Sequence, residues 1–336
     1  MPERVYNLEL MNRLGKTAIS LLMAGSAMFA QTPPAKRAPI PRAADGHPSL
    51  EGIWTNATLT PLQRPVDLAA KAYFTPEEAA AWEKQILIQS DTDNQPRKPG
   101  DPGSYNAAFM DRGNHIEKSR RTSLIIDPPD GRIPPFTADA QAKIQAFREY
   151  AAQHPADGPE DRDLSERCLM FSGVGPPMLA EPYNNNYQIV QSPGYVSVLA
   201  EMNHDVRVIP TGGKVTTPND VNQWHGVSHG RWEGDTLVVE TTNIRFNNQS
   251  HFGAAYRGMS DENLRVTERF ARTDAETIMY QATVDDPSVY TKPWTIEEAL
   301  TRTKGPLFEY ACHEGNYAMP DILKGARLAE QAGNAK

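Results

Sequence analysis

The sequence predicts a mainly β protein, an antiparallel barrel or sandwich of about eight or nine strands with two peripheral helices near the N-terminus. From residue 187 onward, apolar and polar side chains alternate with the period of a β-strand, and turn-forming residues separate most of the alternating segments. Many short strands with regular turns are typical of closed barrels and sandwiches. The predicted strands cover residues 187–191, 195–201, 204–209, 223–232, 236–243, 264–272, 277–284, 290–301 and 307–313.

The clearest predicted element is a hairpin between Trp224 and Asn243. Its turn is Glu233-Gly234-Asp235, where glycine supplies the backbone angles that a short hairpin needs. The first arm contains Gly-x-Ser-x-Gly at 226–230, the pattern of a hydrolase nucleophile elbow. An elbow leads into a helix, whereas the residues here continue as a strand. We therefore interpret the match as accidental.

Two helices are predicted in the N-terminal half of the domain. The first begins at Thr75, which has proline at the next position and Glu78 at the capping-box spacing, and it extends to about Gln89. The second begins at Thr137, carries apolar residues at helical spacing and ends before Pro155.

The N-terminus predicts export. A short basic stretch, Met11 to Lys16, precedes an apolar run, Thr17 to Ala30, that is too short to span a bilayer and ends in small residues. This order is typical of a secretory signal peptide, with cleavage after Ala27 or Ala30, and Met11 is a candidate start. The predicted organisation is a signal peptide at 1–30, a proline-rich linker at 31–48, one β-rich domain at 49–327 with a helical and loop insertion at 75–186, and a tail at 328–336.

The net charge and the distribution of basic residues argue against some classes of binding partner. The chain has 336 residues, a net charge of −8 and scattered basic residues, which argues against nucleic acid or an anionic membrane as the main partner. No integral membrane segment is predicted after signal cleavage, and the oligomeric state is left open. The two cysteines, Cys168 and Cys312, form a disulfide in an oxidising compartment or remain two buried free thiols.

Several long motifs resemble a widespread, uncharacterised family of secreted bacterial proteins. They include DPPDGR, GRWEGDTLVVETTN and YACHEGNY, and the resemblance covers roughly Pro48 to Arg327. It implies a periplasmic or secreted bacterial protein with a single β-rich domain, and it supplies no catalytic residues. Gly52-Ile53-Trp54 is more weakly similar to the start of calycin (lipocalin- and avidin-like) barrels, which implies that Trp54 plugs the barrel floor; the alternative is a strand-edge aromatic.

The candidate catalytic residues are ionisable groups in the predicted sheet. Glu268 lies on an apolar strand face, where a carboxylate either has a raised pKa, as a general acid needs, or pairs with a buried arginine. Histidine can exchange a proton near neutral pH, and arginine can hold an anion. We expect the two ends of the predicted sheet to bring these groups to one cavity. The full set is His204, Asp205, Arg207, Glu268, Glu309, His313 and Glu314.

Aromatic and amide side chains near the strand ends predict a ligand pocket, although core packing explains many of them equally well. His225 and His229 are about 13 Å apart along a strand, too far to share a metal, so no metal and no cofactor is predicted. We expect a barrel that binds a small, partly apolar or aromatic molecule, with or without acid–base catalysis, or else a structural envelope protein. The predicted ligand-binding residues are Asn185, Tyr187, Trp224, Trp294 and Tyr310.

Overall fold

One antiparallel sheet dominates the structure, a computed structural model that describes residues 39–91, 110–213, 221–245 and 263–334. The predicted signal peptide and the linker up to residue 38 lie outside the described residues. Within those residues, no helix combines the length and the apolar character that crossing a bilayer would require.

The sheet curls into a nearly closed barrel, which confirms the predicted fold class. Its strand order is β5-β4-β3-β1-β10-β9-β8-β7-β6, and β2 pairs with the start of β10. The two edge strands, β5 and β6, come to lie side by side. The strands are β1 (Gly52–Thr55), β2 (Ile125–Asp127), β3 (Asn186–Ser192), β4 (Tyr195–Ala200), β5 (Val206–Pro210), β6 (Val227–Glu233), β7 (Thr236–Thr242), β8 (Arg265–Arg272), β9 (Thr277–Asp285) and β10 (Trp294–Arg302).

The line where β5 meets β6 is called the seam here. Every other pair of neighbours along the strand order is joined by a ladder of antiparallel pairs, from β4–β5 round to β6–β7. No backbone hydrogen bond joins β5 to β6 within the described chain. The barrel is therefore held closed at the seam by side chains alone.

Inward-facing side chains fill the barrel. Along β8, β9 and β10 every second residue is buried, as the alternating sequence predicts, and these residues pack as one core. Trp54 on β1 is fully buried, with the guanidinium carbons of Arg272 and Arg302 at 5.2 and 5.5 Å from its ring centroid. Trp54 is thus a core residue of a central strand and not an edge aromatic.

The two predicted helices are present. Helix α1 (Pro76–Ser90) begins at the Thr75–Glu78 capping box, and α2 (Ala138–Gln153) begins after Thr137, whose hydroxyl accepts the backbone N–H of Ala140. A third helix, α3 (Ala318–Asn334), was not predicted, and it continues past residue 327, where we placed the end of the domain. Pro320, Gly325 and Gly333 lower its intrinsic helix propensity, which explains why the sequence did not indicate it.

One predicted strand is absent, and the first arm of the hairpin is shorter than predicted. Residues 307–313 form no strand but run irregularly along the outside of the barrel, because their backbone finds side-chain partners: the Phe308 N–H donates to Glu201 Oε1. The first arm of the hairpin begins at Val227, not at residue 223. Gly226 has φ +68°, and a Cβ there would lie 2.6 Å from Thr242 O, so the chain turns sharply before the strand starts.

One long-range crosslink and one internal segment cover the end of the barrel where β3 begins. Cys168 and Cys312 form a disulfide with a Cα–Cα distance of 5.8 Å, which decides between the two alternatives left open above. Residues 172–178, called the plug segment, pack against the interior. The hydroxyl of Tyr187 donates to Gly173 O at 2.5 Å, and the backbone N–H of Met178 donates to the Tyr280 hydroxyl at 2.9 Å.

Candidate functional site

A buried ion pair lies inside the barrel next to the seam. Arg207 on β5 is 4% exposed and Glu268 on β8 is 0% exposed; the Arg207 Nη1 donates to Oε1 at 3.0 Å and Nη2 donates to Oε2. The Tyr280 hydroxyl also donates to Glu268, at 2.9 Å. Burial alone would lower the pKa of Arg207, but the charge and hydrogen bonds of Glu268 outweigh burial and raise that pKa. The second of our two alternatives for Glu268, a buried pair with an arginine, is the one the structure contains.

Ser228 of the Gly-x-Ser-x-Gly pattern belongs to the same interior cluster. Its hydroxyl lies 2.8 Å from the Thr241 hydroxyl oxygen and accepts from Arg207 Nη2 at 3.5 Å. The residue sits on β6, and the chain after it continues as strand to Glu233. The local structure is therefore not a nucleophile elbow, and the interpretation of the match as accidental is supported.

The seam opens into a cleft of about 600 Å³, called the seam cleft. Its lining comes from β5, from the turn and first half of β6, and from the chain just after β7. The lining residues are 206–208, 210, 222–229 and Arg245. A cleft forms here because the two edge strands are not held together by backbone hydrogen bonds, which leaves space between their side chains.

An imidazole–carboxylate pair stands at the seam cleft. His225 Nε2 lies 3.3 Å from Asp205 Oδ2, and His225 Nδ1 lies 3.1 Å from the carbonyl oxygen of Gly175 in the plug segment. Both ring nitrogens of His225 therefore have an oxygen partner within hydrogen-bonding range. The sharp turn at Gly226 fixes His225 in this position. The sequence placed His225 in a strand and so gave no reason to pair it with Asp205.

Trp224 adds an aromatic surface to the same cleft. The Arg245 guanidinium carbon lies 5.1 Å from the Trp224 ring centroid, within the range of a cation–π contact. The backbone holds both residues together, because the Arg245 N–H donates to the carbonyl of Gln223 at 2.7 Å. The cleft therefore offers an aromatic ring, a guanidinium and two imidazoles, those of His225 and His229.

The remaining catalytic candidates lie elsewhere. His204 is exposed, and its Nδ1 lies 3.2 Å from the carbonyl oxygen of Tyr310. Glu309 lines a second cleft beside the Cys168–Cys312 disulfide, called the disulfide cleft. His313 and Glu314 are exposed and line neither cleft. The structure thus brings the 204 and 310 regions together, but the predicted residues do not share one cavity: some lie at the seam, Glu309 lines the disulfide cleft, and His313 and Glu314 lie on the exposed surface.

Of the predicted ligand-binding residues, three are core residues. Asn185 is 1% exposed, and its side-chain amide hydrogen-bonds to the surrounding backbone. It accepts from Glu181 N and donates to the carbonyls of Asp111 and Glu181. Tyr187 is buried and holds the plug segment, as described above. Trp294 is fully buried, edge-on to Tyr290 with a centroid distance of 6.1 Å. The other two line clefts: Trp224 lines the seam cleft and Tyr310 lines the disulfide cleft.

Alternation along the sequence also indicates a second buried acid, Glu298, which is not among the predicted site residues. On β10, Trp294, Ile296, Glu298 and Leu300 share the inward face, the same pattern that identified Glu268. Glu298 is 0% exposed and its Oε1 accepts from Asn56 Nδ2 at 3.0 Å. Burial raises the pKa of Glu298 well above its ordinary value, because a carboxylate loses its hydration inside the barrel.

Comparison with known proteins finds no matching family model, no matching curated protein and no matching solved structure. Across the residues that the structure describes, no group of three or more His, Cys, Asp and Glu side chains is placed to hold a metal ion. A function must therefore be inferred from the chemistry of the clefts themselves.

Proposed function

We propose that this protein is an exported β-barrel that binds a small, partly apolar or aromatic molecule in the seam cleft. One observation carries the proposal: the barrel opens where β5 and β6 lack backbone pairing, and Trp224 and His225 are held at that opening. The basic and apolar stretches before residue 31 support export. We also propose membership of the secreted bacterial family that the motifs resemble.

The seam is favoured over the centre of the barrel because the interior is occupied by side chains. Buried residues from β1, β3, β4 and β7–β10 pack into one core, and residues of the plug segment belong to it. A ligand in the centre would have to displace these side chains, whereas the seam cleft, at about 600 Å³, has the volume of a typical small-molecule site.

The lining of the seam cleft suggests the kind of ligand. Val206 and Val208 are 53% and 57% exposed, which is unusual for large apolar side chains and provides an apolar wall. The Trp224 ring supplies a surface for stacking, and Arg245 and the His229 imidazole supply polar groups for hydrogen bonding. This combination suits a flat or aromatic molecule that carries a polar or anionic group. Arg207 is not proposed as the anion anchor, because Glu268 already engages both of its Nη atoms.

Acid–base catalysis on the bound molecule is the second candidate function, and the His225–Asp205 pair favours it. A carboxylate beside an imidazole fixes the orientation of the ring and supports proton transfer at the cleft, as lyase, hydrolase and isomerase reactions require. Binding alone remains our first proposal, because the second ring nitrogen of His225 is engaged by the plug segment.

The test is to incubate purified mature protein with a metabolite extract and identify the retained molecules by mass spectrometry. We expect the wild type to retain a small set of compounds and the Trp224→Ala and His225→Ala variants to lose them. His313→Ala is the matched control, since His313 is exposed and lies outside the cleft. Retention of the same compounds by Trp224→Ala, with an unchanged melting temperature, would rule out the seam cleft as the binding site.

A further inference from the structure

We propose that the disulfide cleft is a second binding site and that it takes a small organic cation, a compound with a substituted ammonium group. The cleft has a volume of about 600 Å³ and is lined by residues from the 165–184 region and from 309–316. It shares no lining residue with the seam cleft. The proposal therefore goes beyond the proposed function and does not depend on it.

Aromatic side chains form the apolar part of the disulfide cleft. Phe171, Tyr183 and Tyr310 line it and are only partly buried. The rings of Phe171 and Tyr310 are edge to face, with centroids 5.3 Å apart and an interplanar angle of 71°. Aromatic rings gathered around one space attract a cation through their negative faces, and they attract an ammonium group that carries methyl groups through apolar contact as well.

The charge of the lining has one sign. Glu166 and Glu309 are its carboxylates, and none of its described lining residues is Lys, Arg or His. Glu166 is already paired with Arg162 at 2.7 Å, so its charge is largely compensated. Glu309 is exposed, lines the cleft and supplies the negative charge that would attract a cation. An anionic ligand would find no counter-charge in this cleft.

The walls of the cleft are fixed before any ligand arrives. The Cys168–Cys312 disulfide joins one wall to the other. Asn316 Nδ2 donates to the carbonyl of Cys312 at 3.0 Å, and His204 Nδ1 contacts the carbonyl of Tyr310 from outside. A pre-formed site loses little conformational entropy on binding, which favours affinity for a small ligand.

The proposal predicts that charge, not shape, decides binding. Choline and 3,3-dimethylbutan-1-ol have nearly the same shape, but only choline is charged. In calorimetric titrations of the full mature chain we expect choline to bind at least about tenfold more tightly than the neutral alcohol, and to bind more weakly as salt is added. Equal affinities, or no binding of either compound, would overturn the proposal.

Variants then locate the site. Glu309→Gln and Phe171→Leu should each weaken choline binding by about threefold or more, since one removes the charge and the other removes an aromatic face. Glu314→Gln is the matched control, because it removes an equivalent exposed charge five residues away from Glu309 that does not line the cleft. Trp224→Ala should leave choline binding unchanged. If Glu314→Gln weakens binding as much as Glu309→Gln does, the attraction is a general surface effect and the cleft is not the site. Melting temperatures of all variants confirm that each remains folded.

Discussion

The Arg207–Glu268 pair shows at the scale of single residues what a barrel interior demands of charged groups. A lone charge with no exposure is costly, so each partner is acceptable only because the other is present, and Tyr280 and Ser228 add further hydrogen bonds to the pair. The pair contributes more to the integrity of the fold than to contact with a ligand.

Removing one charge of the Arg207–Glu268 pair should therefore lower the free energy of unfolding more than removing both charges does. We expect Arg207→Met to lower the free energy of unfolding by about 3–5 kcal/mol, because it leaves the Glu268 carboxylate buried without a counter-charge. Arg207→Met combined with Glu268→Gln should cost less than Arg207→Met alone. Urea denaturation followed by circular dichroism gives the free energy of unfolding of the single and the double variant. A double variant that is less stable than the single one would show that the pair is not a mutually dependent unit.

Glu117 predicts a pH dependence of stability. Burial raises its pKa from the ordinary 4.5 to about 7, although Ala299 N–H donates to Oε2 at 3.2 Å. The folded state binds this proton more tightly than the unfolded state, so the stability that Glu117 contributes is fully present below pH 4.5 and is lost as the pH rises through about 7. We therefore expect the difference in free energy of unfolding between Glu117→Gln and the wild type to shift by about 3 kcal/mol in favour of the variant as the pH rises from 4 to 8. A difference that stays constant across this range would contradict the prediction.

The sequence could indicate which residues point inward, but not what they meet. Alternation identified Glu268 as an inward acid, and the same rule applies to Glu298. It could not reveal that Arg207 reaches Glu268 across the seam, because the two residues are 61 positions apart and alternation does not show which strands become neighbours. The His225–Asp205 pair was inaccessible for a similar reason: it depends on the turn at Gly226 and on the way the sheet closes.

Among the elements, the β6–β7 hairpin is the one whose turn the sequence specified most fully. Glu233 pairs with Thr236, which leaves Gly234 and Asp235 as the two-residue loop, and Gly234 has φ +61°. Glycine at the first loop position with a positive φ is what one of the two favoured hairpin turns requires.

Replacing this glycine tests the turn. A Cβ at position 234 would meet no atom within 4 Å, so any cost arises from the backbone alone. We expect Gly234→Val to lower the free energy of unfolding by about 1–3 kcal/mol and Gly234→Asn to cost less, because asparagine tolerates a positive φ. Thermal denaturation of the two variants compares their stabilities. If both lose the same free energy of unfolding, the positive φ at position 234 is not the cause of the loss.

Elements that depend on tertiary contacts were predicted less well. Residues 307–313 alternate like a strand, yet the disulfide at Cys312 and the bond from Phe308 N–H to Glu201 hold them outside the sheet. Helix α3 has a polar and glycine-containing sequence, and it is anchored by Arg327, which donates to the carbonyls of Ala156 and Asp157. Neither contact can be read from local sequence.

At the scale of the whole molecule, one disulfide connects parts of the chain separated by 144 residues. Closing so long a loop restricts the unfolded chain, so we expect Cys168→Ser/Cys312→Ser to lower the free energy of unfolding by about 2–4 kcal/mol. Denaturation curves for the double variant and for reduced wild type should coincide. If the double variant is as stable as the oxidised wild type, the crosslink does not contribute to global stability.

Export is a prediction about the whole molecule that the described residues do not test. The order of basic, apolar and small residues places the mature N-terminus between Met28 and Thr32. N-terminal sequencing of the protein recovered from its native cells decides the matter. An intact Met1 or Met11 on cytoplasmic protein would contradict export.

The plug segment has a consequence for how the barrel can be used. Tyr187 and His225 bind its carbonyls, and Tyr280 accepts its backbone N–H, so three polar groups that could recognise a guest already hold a piece of the same chain. This internal peptide is tethered, and its effective concentration is on the order of millimolar or higher. A free molecule at micromolar concentration therefore displaces the plug segment from these groups only if its affinity for them exceeds that of the segment by the ratio of the two concentrations. The plug segment thus occupies the polar groups inside the barrel and leaves the outer clefts as the places where a ligand can bind.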